Sequence, residues 1–308
     1  MSLPPAEKLP LALRKNIRDT YESAKETIEA NISKSLSVPW TIEVNPLALY
    51  PYADSSYAKD DMGAMIVEYF NSAASYLNNV DEFAKTEINK LAPNHVLSLE
   101  VDSTLDLKYN GVNFNDGNLR IVVTPKGLGV NIDSALESDN MKLGLNEAAA
   151  KAGGQDDISY IARDNIGKKY DPVITNVKNR LEQLFGQPFE LLPNFEDNFA
   201  KVKKESQVPG TKLPDSWETN FGATALEYFE SLATHLDWNN FGKDDLLKEG
   251  FLESVDKGKV ALRVVDKLEG SSNYNEAKIE DGVLYLQTKA DTWGVNTNQA
   301  SQKIVDLL

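Results

Sequence analysis

The sequence predicts an α+β protein made by tandem duplication of one domain, and three observations carry that prediction. The fifteen residues Gly63–Leu77 return as Gly222–Leu236 with eight identities and no gap, including Glu68-Tyr69-Phe70 against Glu227-Tyr228-Phe229. Shorter blocks recur in the same order on either side. In each half, an apolar period near 3.6 residues then gives way to a period of 2. A repeat of roughly 150 residues is far longer than the ~20–50 of solenoids and propellers, and it matches an ordinary domain. The expected boundaries are 1–149 for the first repeat, 150–157 for a linker rich in Gly and Asp, and 158–308 for the second.

The flanking blocks set the register. Arg14-x-Asn16-Ile17-x-x-x-Tyr21 recurs as Arg163-x-Asn165-Ile166-x-x-x-Tyr170, and Pro39-Trp40 and Asn45 fall on Pro188-Phe189 and Asn194. Asp116-Gly117-x-Leu119 recurs as Asp281-Gly282-x-Leu284, and Gly129-Val130-Asn131 as Gly294-Val295-Asn296. The offset rises along the chain from 149 to 159 to 165. The second half therefore carries insertions between Phe195 and Phe221 and near Gly270, which are expected in surface loops.

In the first half, Leu13, Ile17, Tyr21, Ala24, Ile28 and Ile32 step by three or four residues, as on an amphipathic helix. Val38-Pro39 ends it, Trp40–Val44 alternates like a strand, and 45–54 reads as a loop. A second helix covers about 59–77, and a short one runs through Phe83, Ile88 and Leu91 to Pro93. Strands are expected at 96–101, 105–109, 119–124 and 128–132. Asn110-Gly111 and Asp116-Gly117 supply hairpin turns between them. The second half repeats the plan. A helix starts at Asp171-Pro172 and runs to Phe185, with others at 223–236 and 244–248. Strands fall at 189–192, 260–265, 277–279, 283–288 and 294–296, and a final helix at 299–308. The expected architecture is helices packed on a four- to five-stranded antiparallel sheet in each copy, the copies related by a pseudo-two-fold axis.

Composition narrows the function. A net charge of −15 disfavours nucleic-acid backbones and anionic membranes as partners. The absence of cysteine excludes disulfides and thiolate metal sites. No apolar run approaches the ~20 residues of a membrane span, and no signal-peptide pattern opens the sequence, so a cytoplasmic location is expected. The two histidines, His95 and His235, do not fall on each other in the repeat, and no metal site is expected. The Asn- and Asp-rich turn at 113–118 lacks EF-hand spacing.

Candidate chemistry rests on the duplicated residues. Glu68 and Glu227, on the buried side of a helix, are the candidate acid/base pair of an isomerase, cyclase or hydrolase. Their plainer role is structural, paired with Arg14 and Arg163 respectively. Aromatic residues cluster around the second helix of each half, Tyr50, Tyr52 and Tyr57 among them. Trp40, Tyr69, Tyr76, Tyr228, His235 and Trp293 are the candidate ligand contacts, lining an apolar cavity between helices and sheet. The expected function is a binding protein for an apolar or aromatic small molecule. The alternatives are a carboxylate/tyrosine enzyme and a protein-interaction module, and the sequence names no cofactor.

Overall fold

A computed structural model describes residues 3–104, 107–153, 157–270 and 273–308. The chain divides into two units, Met1–Gly153 and Gly154–Leu308. The first contains α1 (Leu11–Ile17), α2 (Ser23–Leu36), β1 (Thr41–Val44), α3 (Pro46–Leu49), α4 (Ser56–Asp60), α5 (Met62–Leu77), α6 (Glu82–Leu91), β2 (Val96–Val101), β3 (Asn110–Asn115), β4 (Asn118–Val123) and α7 (Ser138–Ala152). The second contains α8 (Tyr160–Asn165), α9 (Asp171–Phe185), β5 (Glu190–Leu192), α10 (Phe195–Ser206), α11 (Phe221–Trp238), α12 (Asp245–Ser254), β6 (Lys259–Val264), β7 (Asn275–Glu280) and β8 (Val283–Thr288).

Both sheets are mixed, which corrects the antiparallel expectation. Their strand orders are β1-β2-β4-β3 and β5-β6-β8-β7. The first three strands of each order are parallel, and only β3 and β7 run antiparallel to their neighbours. The reason lies in the connections. Asp116-Gly117 and Asp281-Gly282 take positive φ at both turn residues and close tight hairpins, as expected. Asn110-Gly111 is no turn. It opens β3 after a connection that carries the chain past the place β4 will occupy, so β4 inserts beside β2 and runs parallel to it. The strand expected at 105–109 falls partly outside the described residues, and 107–109 is not strand. Residues 128–132 and 294–296 form turns, and 299–308 forms 3-10 turns rather than a helix. The helix expected to start at Asp171 is already running from Tyr160. The end of α7 reaches Ala152, so the expected linker begins inside a helix, and 154–156 lie outside the described residues.

The first helical rod of each unit contains one π turn, at Arg18–Glu22 and at Ile166–Tyr170. Beside each, a glycine brings the next long helix into close contact. A Cβ on Gly63 would lie 2.8 Å from the Asn16 carbonyl oxygen, and one on Gly222 2.5 Å from Ile166 Cα. The asparagines that recur in the two units close the crossing. Asn16 Oδ1 accepts from Gly63 N–H at 2.7 Å, and Asn165 Oδ1 from Ala223 N–H at 2.9 Å, so each covers an otherwise unpaired amide in the first turn of α5 or α11. The wider π turn also accommodates Pro172, whose ring would clash with the preceding turn of an ordinary α-helix.

From these crossings α5 and α11 run through the middle of their cores. Met62, Met65, Ile66, Tyr69, Phe70, Ala73 and Leu77 are buried on one, and Phe221, Ala225, Tyr228, Phe229, Leu232 and Leu236 on the other. Each core holds one tyrosine–asparagine network. Gly129 N–H donates to Tyr69 Oη at 3.0 Å, while Asn110 Nδ2 donates to the Val130 and Asn131 carbonyls at 3.0 and 2.8 Å. Tyr228 Oη donates to Asn275 Oδ1 at 2.8 Å, and Asn275 Nδ2 holds the Val295 and Asn296 carbonyls at 2.7 and 2.8 Å. Asn131 and Asn296 both adopt left-handed φ, and the two carboxamides fasten these matching turns to β3 and β7.

The helix crossing makes a direct prediction. Gly222→Ala is expected to cost about 1–3 kcal/mol in urea unfolding, because the methyl meets backbone. Gly167→Ala, where a Cβ meets nothing within 4 Å, is expected to be neutral or mildly stabilising.

Candidate functional site

The carboxyl ends of parallel strands carry main-chain groups and loops that no further strand covers, and open α/β sheets bind ligands there. In the first unit this end of the sheet holds a cleft of about 610 Å3. Its floor and apolar wall are Val44, Leu49, Leu99, Val101, Tyr21 and Tyr52, with Leu3 lying across one side. Leu3 N–H donates to Tyr52 Oη at 2.6 Å, tying the N-terminal segment over the cleft. The polar side carries Glu22, Lys25, Glu43, Asn45, Ser98 and Glu100.

Several elements set these groups. The π turn brings Tyr21 and Glu22 to the cleft, and burial with the nearby carboxylates Glu22, Glu29 and Glu43 pushes the Tyr21 hydroxyl up to about 12. Glu100 is held by the Ser98 hydroxyl at 2.7 Å and by Arg120 at 3.0 Å. Asn45 keeps an extended backbone and caps α3 through Leu47 N–H, so the chain turns aside and leaves the ends of β1 and β2 accessible.

The second unit closes the same end. Asn194, the counterpart of Asn45, takes left-handed φ of 47°, and the chain enters α10 at once. Asn198 is fully buried, its Nδ2 on Leu262 O at 3.0 Å and its Oδ1 accepting from Val264 N–H at 2.7 Å. Phe195 lies edge-on to Tyr170 at 4.9 Å, and Phe199 and Val202 are buried beneath α10. The length expected as a surface insertion between Phe195 and Phe221 therefore contributes a helix packed on β6. A different hollow of about 570 Å3 remains at this end, lined by Lys201, Lys204, Lys289, Glu205 and Asp291 among others.

None of the eight candidate site residues lines the first unit's cleft. Trp40 is buried, its indole N–H on Asn89 Oδ1 at 3.0 Å and its ring 5.6 Å from that of His95. Tyr69 and Tyr228 belong to the core networks, and Tyr76 is half-buried on α5. His235 is buried with Nδ1 2.8 Å from the Ser301 hydroxyl. Ser301 is itself fully buried, so this pair ties the C-terminal segment to α11 and is closed to a substrate. Trp293 stacks on Phe221 at 5.1 Å, with no acceptor for its buried indole N–H among the described residues. Of the wider aromatic cluster, Tyr52 does reach the cleft.

Glu68 and Glu227 are exposed side chains, which corrects their expected burial. Glu68 accepts from Tyr57 Oη at 2.6 Å, and Arg14 is exposed, so the Arg14–Glu68 pair does not form. Partial desolvation of the Glu227 carboxyl, with Glu230 adding to it, holds that acid above its ordinary value against the Thr297 hydroxyl. Arg163 donates instead to the Ile158 carbonyl at 3.3 Å. Among the described residues no group of three or more His, Asp or Glu is placed to hold a metal ion, and no helix is long and apolar enough to cross a membrane. Comparison of the chain with profiles of known families, with curated proteins and with solved structures finds no match.

Two outcomes follow. Glu68→Gln is expected to lower stability by under about 1 kcal/mol, because its partner interaction is solvent-exposed. Burial holds His235 below the ordinary histidine value. Its neutral form therefore favours folding fully above the unfolded value of about 6.5, and that contribution falls as the pH drops below it. Chemical denaturation between pH 7 and 5 is expected to show this loss in the native chain and to show less of it in His235→Phe.

Proposed function

We propose that this is a binding protein for a small molecule with an apolar or aromatic body, and that the site is the cleft at the carboxyl ends of β1 and β2. We also propose that the two units arose by tandem duplication and that only the first keeps this site. The shared strand order, the π turns, the glycine crossings and the tyrosine–asparagine networks support the duplication. The observation that carries the function is the contrast between the two sheet ends. One is filled by the protein's own α10, and the other is open, apolar on one wall and polar on the other.

A carboxylate/tyrosine enzyme is the second reading, and the 2.6 Å Tyr57–Glu68 contact favours it as a pair able to pass a proton. Glu68 lines an open hollow with Thr20, Ala64 and Asn71, away from the cleft. An enclosed site, which would exclude water from such chemistry, is therefore lacking around it.

Native mass spectrometry of the protein from its own source tests the main reading. One equivalent of a small molecule, lost on denaturation, is the expected result. Ala48→Trp, which places an indole in the cleft, is expected to abolish it. Two equivalents, or full retention in that variant, would overturn the single-cleft reading.

A further inference from the structure

The second unit contains, in its own side chains, a template for what the first unit binds. Strand alternation decides which main-chain groups face the cleft. Asp102 N–H donates to Val123 O at 2.9 Å, so even-numbered amides at this end of β2 face β4. Thr41 N–H donates to His95 O at 3.0 Å, so odd-numbered groups of β2 face β1. The Val101 N–H thus points to the β1 side, beyond the last residue of β1, where Val101 lines the cleft. Among the described residues it meets no acceptor.

The counterpart of Val101 in the second unit is Val264, the sixth and last residue of β6 as Val101 is of β2. Val264 N–H is covered by Asn198 Oδ1 at 2.7 Å, and the same carboxamide gives its N–H to Leu262 O at 3.0 Å. One turn earlier on α10, the Phe195 ring meets Tyr170 edge-on at 4.9 Å. Tyr170 is the counterpart of Tyr21, which lines the open cleft. By the 149-residue offset Pro46 and Leu49 fall on Phe195 and Asn198, so the first unit carries neither a ring nor an amide at those two positions.

We infer that the cleft takes an aromatic amide. Its ring lies edge-on to Tyr21 and its carbonyl accepts from Val101 N–H, reproducing what Phe195 and Asn198 do for Tyr170 and Val264. The spacing follows from the template. Side chains three apart on a helix have Cβ atoms about 5–6 Å from each other, a span of about five carbons between ring and amide. The inference rests on the reading of the cleft as the ligand site, and it adds the chemical class.

The test uses the full chain labelled with nitrogen-15 and three probes of similar size. They are 6-phenylhexanamide, 6-cyclohexylhexanamide, which lacks the aromatic ring, and heptylbenzene, which lacks the acceptor. Amide spectra are expected to shift at Val101 and in the Tyr21 and Leu49 neighbourhood. The phenyl amide is expected to bind roughly two- to ten-fold more tightly than either analogue, since one ring contact or one hydrogen bond is lost in each. Equal affinities with the same shifts would overturn the aromatic-amide assignment while leaving the cleft as the site. Shifts elsewhere, or none with any probe, would overturn both.

Discussion

The contact on which the rest depends is the helix crossing at a glycine. At Gly63 and Gly222 there is no room for even a methyl group, because the partner helix presents backbone there. Such closeness removes space for side chains but demands that the α5 and α11 termini find partners for their first amides. Asn16 and Asn165 supply them from the opposing rod. The π turns follow immediately in sequence. A π turn displaces the side chains after it relative to an uninterrupted α-helix, and this is what carries Tyr21 toward β1 and Tyr170 toward α10. A change at the glycine would therefore propagate to the end of the sheet through one rigid helix.

What differs between the units is decided by a single residue type in two conformations. Asn45 remains extended and caps a one-turn helix, whereas Asn194 adopts the left-handed region that asparagine tolerates better than most residues. From that bend α10 crosses the end of β6, and Asn198 continues the pairing that β5 stops providing after Leu192. The buried carboxamide satisfies one donor and one acceptor on the strand, which is how such a polar side chain is tolerated at zero exposure. In the first unit β1 is one residue longer, and among the described residues nothing continues it, so the edge of β2 reaches the cleft at Val101.

Much of the fold was legible because the sequence is periodic and its blocks recur. The long helices, the strands 96–101 and 283–288 and both Asp-Gly hairpins follow from local patterning. Strand direction was not legible, since parallel and antiparallel strands share the same period and only the connections decide. Asn110-Gly111 carries a strong turn signal, yet its asparagine is consumed by the Val130 and Asn131 carbonyls, a contact 20 and 21 residues away. The candidate site was read from aromatics and duplicated charges, and those selected as ligand contacts lie mostly in the core. A residue that recurs in both units serves what the two folds share, which favours packing groups such as Tyr69 and Tyr228. The usable signal was the growth of the offset from 149 to 159, because the extra length marks where the copies diverge.

That divergence has an energetic logic. Filling the end of the sheet with α10 buries Phe199 and Val202 and partly covers Phe195, and each buried apolar side chain contributes about 1.5–3 kcal/mol before entropy is counted. The first unit forgoes those contacts, and its Val101 amide meets no acceptor among the described residues. An unfilled cleft of this kind weakens the unit that contains it, and any molecule that fills it stabilises the folded form in proportion to its own binding. The second unit has the apolar contacts of α10 at this end, while the first has a cleft lined by Val44, Leu49 and Val101. The place where the two units differ in packing is thus also the place where a bound molecule would add the most apolar burial, which is the physical reason for seeking the function at the end of the first sheet rather than among the residues that recur in both units.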